Sequence, residues 1–184
     1  MAPATSSRLT YDDYVKLPDD GKRYEIIDGE LYVNPAPVPT HQFIITNILT
    51  AFRVYARAHG GRAAGAPIDV VLADDRIVQP DVIFIKADRF SIIGPKNILG
   101  APHIVVEVLS DGMRRYDEIQ KRQVYESSGV DEYWVVDPEI EMVRISRSIG
   151  GAYVKAEEIN TDEGGTITSP LLPDFSLPIE EVFA

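Results

Sequence analysis

The sequence contains no cysteine. A disulfide framework, a thiolate zinc site and a cysteine nucleophile are therefore excluded, and any bound metal needs oxygen or imidazole ligands. Such ligands favour hard cations, Mg²⁺ or Mn²⁺. No apolar run approaches the roughly 20 residues of a membrane-spanning helix, and the first residues lack a basic segment followed by an apolar one. We therefore expect a cytoplasmic protein that does not bind membranes.

Positive charge is also scarce. Lys and Arg number 18 against 29 Asp and Glu, which gives a formal net charge of -11 at pH 7. Proteins that grip long duplex DNA usually present a basic surface that releases counterions. One basic cluster, Arg114, Arg115, Lys121 and Arg122, stands apart from the acidic segments, and a local field can outweigh total charge for an anionic ligand. The balance disfavours extended duplex contact but not a local anion site.

The N-terminal half of the chain predicts a helix, a hairpin and a second helix. Thr10 with Asp13 resembles a capping pair that opens a short helix. Asp28-Gly29 joins two alternating runs, as in a tight β-hairpin. Apolar residues at helical spacing, among them Phe43, predict a helix that packs one face on a sheet and ends before Gly60.

The segments that follow predict strands and a crossover helix. Residues 67–73 and 77–85 are expected to be two strands, and HIVVEVLS, residues 103–110, is typical of a central strand covered on both faces. An amphipathic helix is predicted over 115–128, ended by Gly129, before the strand in EYWVVDP. Strand, helix and strand in succession indicate a parallel crossover.

After Pro138 the sequence predicts meander strands and a terminal turn of helix. No repeat, linker or low-complexity segment interrupts the 184 residues. We therefore predict one α/β domain over 1–184, with a mixed central β-sheet flanked by helices and an N-terminal β-hairpin.

Two acidic residues stand where the pattern calls for explanation. Asp81 follows Pro80 at the start of a strand, where it is either a turn-capping residue or a functional carboxylate. Glu107 interrupts the apolar run, and a buried charge costs several kcal/mol unless it is paired, protonated or bound to a metal. Two carboxylates from neighbouring strands would form the oxygen-rich pocket that Mg²⁺ requires.

A cation is expected beside these acids. Asp117, Lys121 and Tyr125 recur at i, i+4 and i+8, so they share one helix face. One interpretation makes Asp117 and Lys121 a surface ion pair of at most about 0.5 kcal/mol. The other places Lys121 beside Glu107, as a functional cation or as a purely structural partner.

Three stretches carry a resemblance to a known family: YEIIDGEL, QPDVIFI and VVEVLSDGMRRYDEIQKRQVYESSGVDEYWVVDP. They resemble the Uma2 family of the PD-(D/E)XK nuclease superfamily, from Tyr24 to the final PIEEVF. The resemblance implies a restriction-endonuclease-like core and an endonuclease that uses Mg²⁺ or Mn²⁺ on nucleic acid, with DNA expected. The superfamily's Pro-Asp pair corresponds to Pro80 and Asp81, and its next acidic residue to Glu107, which makes Asp81 and Glu107 the implied metal ligands.

The sequence departs from the superfamily pattern at Leu109, where a lysine is expected. Lysines relocated to the following helix are a known variation of the superfamily, and Lys121 is the best-placed candidate. The superfamily's helical glutamate is not evident either. Four residues near the start could instead line the pocket: Glu25, Glu30, His41 and Gln42.

Several residues have simpler interpretations. His41 is either a site residue or a solvent-exposed residue at the start of a helix. His59 and His103 are expected on the surface. Trp134 is expected in the core and Asp137, before Pro138, in a turn.

The leading hypothesis is phosphodiester hydrolysis. Asp81 and Glu107 would hold the metal, Lys121 would orient water or stabilise phosphate charge, and Glu25 or His41 would assist. The alternatives are a degraded nuclease fold that binds nucleic acid or protein, and a scaffold in which Glu107 and Lys121 only pair. A homodimer is a further expectation, because many such nucleases cut two strands with paired subunits.

Overall fold

The computed structural model describes residues 8–34, 38–110 and 117–184. Within these ranges the α-helices are α1 Tyr11–Tyr14, α2 Pro39–His59, α3 Arg122–Ser128 and α4 Ile179–Phe183. A 3-10 helix spans Ala87–Ile92, and a π-helical turn, Asp117–Lys121, leads directly into α3. The strands are β1 Arg23–Ile27, β2 Glu30–Asn34, β3 Arg62–Gly65, β4 Val70–Ala73, β5 Arg76–Val78, β6 Val82–Ile85, β7 Ile98–Leu99, β8 Ile104–Val108, β9 Glu132–Asp137, β10 Met142–Ile149, β11 Ala152–Tyr153, β12 Glu157–Asn160, β13 Thr166–Ser169 and β14 Leu172–Pro178.

The strands form two principal sheets. The larger has the order β11-β10-β9-β8-β6-β3, with β12 also paired to β10. The smaller has the order β2-β1-β5-β4-β7, and β13 pairs separately with β14. Both sheets contain parallel and antiparallel pairs, which confirms the predicted mixed α/β architecture with helices on its flanks.

The hairpin and the central strands follow the predictions. β1 and β2 pair antiparallel around Asp28 and Gly29, whose φ values are 51° and 82° as a tight hairpin turn requires. β8 and β9 pair in parallel, with Glu107 opposite Val135. The helix between them ends at Gly129, whose φ of 84° lies in the left-handed region that glycine tolerates. The predicted first turn of that helix, with Arg114 and Arg115, lies outside the described residues.

Helix α2 covers one face of the larger sheet. Four of its side chains, Ile44, Ile45, Ile48 and Phe52, are buried against β6, β8 and β9 in a core that extends to α4. Phe52 packs on Phe84 and Trp134, at ring-centroid distances of 5.4 Å and 5.2 Å. Phe43 was expected on this buried face but is 64% exposed, because it lies one residue before the row that meets the sheet.

The structure corrects the predicted strands around Pro80. Residues 77–85 are not one strand: β5 ends at Val78 in the smaller sheet, and β6 begins at Val82 in the larger. Proline lacks the amide hydrogen that a continuous ladder needs, so the chain changes sheets there. Strand β4 is shorter than the predicted 67–73, and the short edge strand β3 was not predicted.

A second core lies between the two sheets. Ile27 and Val78 of the smaller sheet pack here with Ile83 and Val105 of the larger, and α3 adds Tyr125. In β8, the side chains of Val106 and Val108 enter the first core, whereas Val105 and Leu109, the residue after the strand, enter the second. Since strand side chains alternate between faces, Glu107 shares the face of Val105 and looks into the space between the sheets.

No helix in the described part of the chain is both long and apolar enough to cross a membrane.

Candidate active site between the two sheets

Three buried carboxylates meet where the two sheets come together. Asp81 directly precedes β6, and the pairing of Val82 with Val106 places it opposite Glu107 of β8. Glu25 comes from β1 in the other sheet. These side chains belong to residues only 3%, 6% and 1% exposed. Carboxylates are seldom buried so deeply unless they are compensated, so their partners determine what the site can do.

Asp81 is held by a backbone amide and the guanidinium of Arg23. The Val108 amide donates to its Oδ2 at 2.9 Å. Arg23 reaches Oδ1 with Nη1 at 3.2 Å and Nη2 at 3.4 Å. The predicted turn-capping role for Asp81 is therefore not what the structure shows: its carboxylate ties β6 to β8 and to β1.

Lys121 lies between the other two acids. Its Nζ is 3.0 Å from Oε1 of Glu107 and 3.2 Å from Oε2 of Glu25. The lysine residue is only 4% exposed. The predicted surface position of Lys121 is therefore wrong, because its ammonium group is enclosed between the sheets. Its predicted pairing with Asp117 concerns a side chain outside the described part of the chain.

Further donors fix Glu25 and Glu107. Asn34 donates to Oε2 of Glu25 at 2.8 Å, and the Gln79 amide donates to Oε1 at 2.7 Å. The Tyr125 hydroxyl donates to Oε1 of Glu107 at 2.5 Å. These bonds hold both carboxylates in fixed orientations, as a preorganised site requires.

His41 joins the site from the first turn of α2. The residue is 4% exposed, so the expectation of a solvent-exposed histidine is wrong. Its Nε2 lies 3.0 Å from the Val108 carbonyl oxygen and 3.2 Å from Oδ2 of Asp81. Its Nδ1 is buried and has no hydrogen-bond partner among the residues described. A neutral imidazole that donates through Nε2 to the carbonyl leaves Nδ1 as an acceptor.

The charges of this cluster are close to balance. Glu25, Asp81 and Glu107 supply three negative charges, and Arg23 and Lys121 supply two positive ones. With His41 neutral, these five charged groups, taken from the described residues, sum to one negative charge. A divalent cation would change that excess to one positive charge, which matches a phosphodiester.

The donor set fits a hard divalent cation held by two carboxylates. Across the described ranges, no group of three or more His, Asp or Glu side chains is arranged to hold a metal ion. Mg²⁺ is commonly held by one or two carboxylates, with water and substrate phosphate as its remaining ligands. Asp81 and Glu107, adjacent in the ladder, satisfy that smaller requirement.

A family model described as "Putative restriction endonuclease", Uma2, matches residues 11–180. The chain belongs to the Uma2 family. No curated protein matches it.

A solved structure has the same fold. It is described as a putative nuclease belonging to DUF820 from Anabaena variabilis ATCC 29413, and it superimposes with a TM-score of 0.80. The two share 20% sequence identity over 95% of this chain and 97% of the other. The restriction-endonuclease-like fold expected for a Uma2 protein is thereby confirmed, and restriction-endonuclease-like nucleases in general use divalent metals.

In this Uma2 protein, Leu109 stands at the position where the superfamily pattern has a lysine, and it is a core residue. Leu109 is 4% exposed and packs in the core between the sheets. Lys121 reaches the Glu107 carboxylate from the following helix instead, at 3.0 Å. The structure thus brings together all five predicted site residues, and their catalytic roles stay predictions.

Sequence reasoning did not assign a role to Arg23 or Asn34. Arg23 and Glu25 are two residues apart on β1, so they share one strand face, and that spacing could have identified Arg23. Asn34 is opposite Arg23 in the hairpin, a pairing that follows once the Asp28-Gly29 turn sets the register.

The remaining candidates lie away from the site or at its edge. Glu30 is exposed and accepts a hydrogen bond from Tyr32. His103 is buried rather than on the surface, its Nδ1 accepts the Lys86 amide at 3.1 Å, and burial lowers its pKa. The expectations for three residues are confirmed: His59 is exposed, Trp134 is fully buried, and Asp137 accepts the Glu139 amide in a turn.

The Tyr125 hydroxyl should link stability to alkaline pH. Burial, followed by the charge of Glu107, raises the pKa of Tyr125 well above its ordinary value of 10.0. A group with a raised folded-state pKa contributes stability below the unfolded pKa and loses it as pH rises, so stability should fall above about pH 10, by about 1.4 kcal/mol per pH unit. Tyr125→Phe should lower stability by about 1–2 kcal/mol at pH 7 and reduce the alkaline slope. Urea unfolding between pH 7 and 11 measures both.

Tyr32→Phe is the matched control for Tyr125→Phe. The Tyr32 hydroxyl donates to an exposed carboxylate at 2.7 Å, so Tyr32→Phe should keep the wild-type stability at pH 7. Equal slopes in Tyr125→Phe and wild type would contradict the assignment of a buried, protonated phenol.

Proposed function

We propose that this Uma2 protein is a metal-dependent endonuclease that hydrolyses phosphodiester bonds, with DNA as its substrate. The observation that carries the proposal is the burial of three carboxylates from both sheets, two of which contact the ammonium group of Lys121. Buried acids cost stability, and such costs are concentrated at functional sites. The family and the fold agree with this chemistry, although fold alone does not assign it.

Asp81 and Glu107 are the residues proposed to hold Mg²⁺ or Mn²⁺. When bound there, the ion would lower the pKa of a water molecule and offset charge on the scissile phosphate. Lys121, 3.0 Å from Glu107, is positioned to orient that water or to neutralise a phosphate oxygen. Glu25 keeps the ammonium group in place from the opposite sheet.

His41 is proposed to assist by accepting a proton. Its Nδ1 is an acceptor in the neutral tautomer and has no partner within the described part of the chain. The Nε2 contacts with Val108 and Asp81 fix the ring. An oriented imidazole whose second nitrogen can accept a proton suits the role of a general base.

A degraded nuclease fold that only binds nucleic acid or protein is the second candidate, favoured by Leu109 in place of the motif lysine. The two candidates predict different metal binding: the enzyme should bind Mn²⁺, and the degraded fold should not. The contact between Lys121 and Glu107 supports the enzyme, because it supplies the missing cation from another element. A single domain over 1–184 and a homodimer both stay predictions.

The deciding test is dependence on an added metal ion. We expect cleavage of DNA when Mn²⁺ or Mg²⁺ is supplied and no cleavage in excess chelator, with activity restored by returning the ion. Purified protein should be offered single-stranded, duplex and branched DNA, and RNA, beside calorimetric titration of Mn²⁺. Cleavage of RNA alone would correct the substrate. If the protein neither binds Mn²⁺ nor cleaves any of these substrates, the degraded fold is favoured.

A further inference from the structure

A cavity of about 830 Å³ opens beside the buried carboxylates. Its wall includes Arg23, Asn34 and Gln79, which are the residues that hydrogen-bond Asp81 or Glu25. The cavity is therefore continuous with the groups that hold the site in place. A ligand in it would contact the residues that hold Asp81 and Glu25.

Arg23 connects this cavity to Asp81. Its side chain is 20% exposed while that of Asp81 is 5% exposed, so the guanidinium lies at the boundary between the cavity and the buried acid. Both contacts, at 3.2 Å and 3.4 Å, go to the single oxygen Oδ1. A guanidinium has five N–H donors, and this arrangement leaves others for a second anion.

The residues around the cavity favour a ligand with a small negative charge. Gln42 lines it from the first turn of α2, a 21-residue helix with no acidic residue in that turn. The positive end of the helix dipole therefore lies beside the cavity. Lys22 also lines it but is paired with Asp20 at 2.8 Å, and Asp19 is an acidic lining residue. Arg23 is thus the cation best placed to bind an anion there.

We propose that this cavity, the Arg23 cavity, binds a phosphodiester group of single-stranded DNA and that Arg23 is the side chain that holds it. The inference rests on the proposed nuclease function and names the form of its substrate. The N–H donors of Arg23 that Asp81 does not use can bind the phosphate, which a guanidinium holds well through paired N–H donors.

The size of the cavity favours a single strand over a duplex. A volume of about 830 Å³ is in the range of sites for small molecules, roughly 300–1,000 Å³. A nucleotide at a strand end or in an unpaired region fits such a space, whereas duplex DNA does not. The net charge of -11 agrees, because long duplex contact depends on many cations.

Arg23→Gln should weaken binding of a short, fluorescently labelled single-stranded DNA about tenfold. Binding is measured by anisotropy in excess chelator, where cleavage is prevented, and repeated at several salt concentrations. Loss of one phosphate contact should reduce the slope of log K against log salt by about 0.7. Arg23→Lys, which keeps the charge but not the paired donors, should fall between Arg23→Gln and wild type.

A matched pair of surface variants tests the cavity without disturbing the buried ions. Val33 lines the cavity and is 47% exposed, whereas Ile149 is 69% exposed in the β10–β11 hairpin and does not line it. Val33→Glu should weaken the same oligonucleotide at least about threefold by charge repulsion, and Ile149→Glu should not.

Three results would overturn the inference: wild-type protein that does not bind the single strand, tighter binding of a matched duplex, or unchanged affinity in both Arg23→Gln and Val33→Glu. Failure of the nuclease proposal looks different. It would appear as wild-type protein that binds the strand with the expected variant pattern but cleaves nothing when Mn²⁺ is supplied.

Discussion

Replacing Asp81 with asparagine should reduce Mn²⁺-dependent cleavage by on the order of 10³-fold and leave the protein folded. The Asp81 carboxylate is a proposed metal ligand. The asparagine side chain has nearly the same shape but carries no charge. The amide oxygen can still accept the Val108 N–H, which now donates to Asp81 at 2.9 Å. Initial cleavage rates and calorimetric titration of Mn²⁺, on wild type and Asp81→Asn, measure the loss.

Asp137→Asn is the control for that substitution. Asp137 is also 3% exposed and lies at the end of β9, where it accepts the Glu139 amide at 3.0 Å. Like Asp81, Asp137 is buried and accepts a hydrogen bond from a backbone amide. It is not part of the proposed site. Cleavage should survive in Asp137→Asn, and equal cleavage by Asp81→Asn and wild type would contradict the assignment of Asp81.

Lys121→Met should destabilise the protein by about 3–5 kcal/mol and remove its activity. The ammonium group lies 3.0 Å and 3.2 Å from two carboxylates, whose side chains are 7% and 1% exposed. Methionine fills similar volume but leaves both acids without their shared cation, and uncompensated buried charges are costly. Urea unfolding at pH 7 gives the loss of stability, and cleavage in Mn²⁺ gives the loss of activity.

The double variant Lys121→Met with Glu107→Gln separates a structural pair from a catalytic one. Removal of both charges should recover part of the lost stability, since one uncompensated acid is gone. Activity should not recover, because a proposed metal ligand and the cation are both absent. Recovery of full cleavage in the double variant would show that Glu107 and Lys121 form only a structural pair and would contradict their proposed catalytic roles.

The candidate site illustrates which interactions local patterns can predict. The interruption of IVVEVL by Glu107 was visible because burial of a charge in an apolar strand demands a partner. The partner itself was harder to predict, since Lys121 on its own helix fits a surface ion pair equally well. Packing of that helix against the larger sheet decides between these alternatives.

The placement of Arg23 and His41 depends on contacts between distant elements. Arg23 is 58 residues from Asp81 in sequence, and His41 is 67 residues from the Val108 carbonyl that it contacts. No local periodicity encodes such distances. The prediction of one strand across Pro80 was also wrong. A proline that weakens a strand can equally mark the point where the chain passes from one sheet to another.

The sequence by itself determined the hairpin at Asp28-Gly29, the central strand around Glu107, the helix that ends at Gly129 and the resemblance to Uma2. Each of these depends on residues that are close in sequence and on the local preferences of backbone and side chain. Only the tertiary structure decided that Glu25 from one sheet and Glu107 from the other share Lys121, and that Arg23 separates Asp81 from an open cavity. These contacts arise because two sheets pack face to face, and the geometry of that packing follows from the whole core rather than from any one segment.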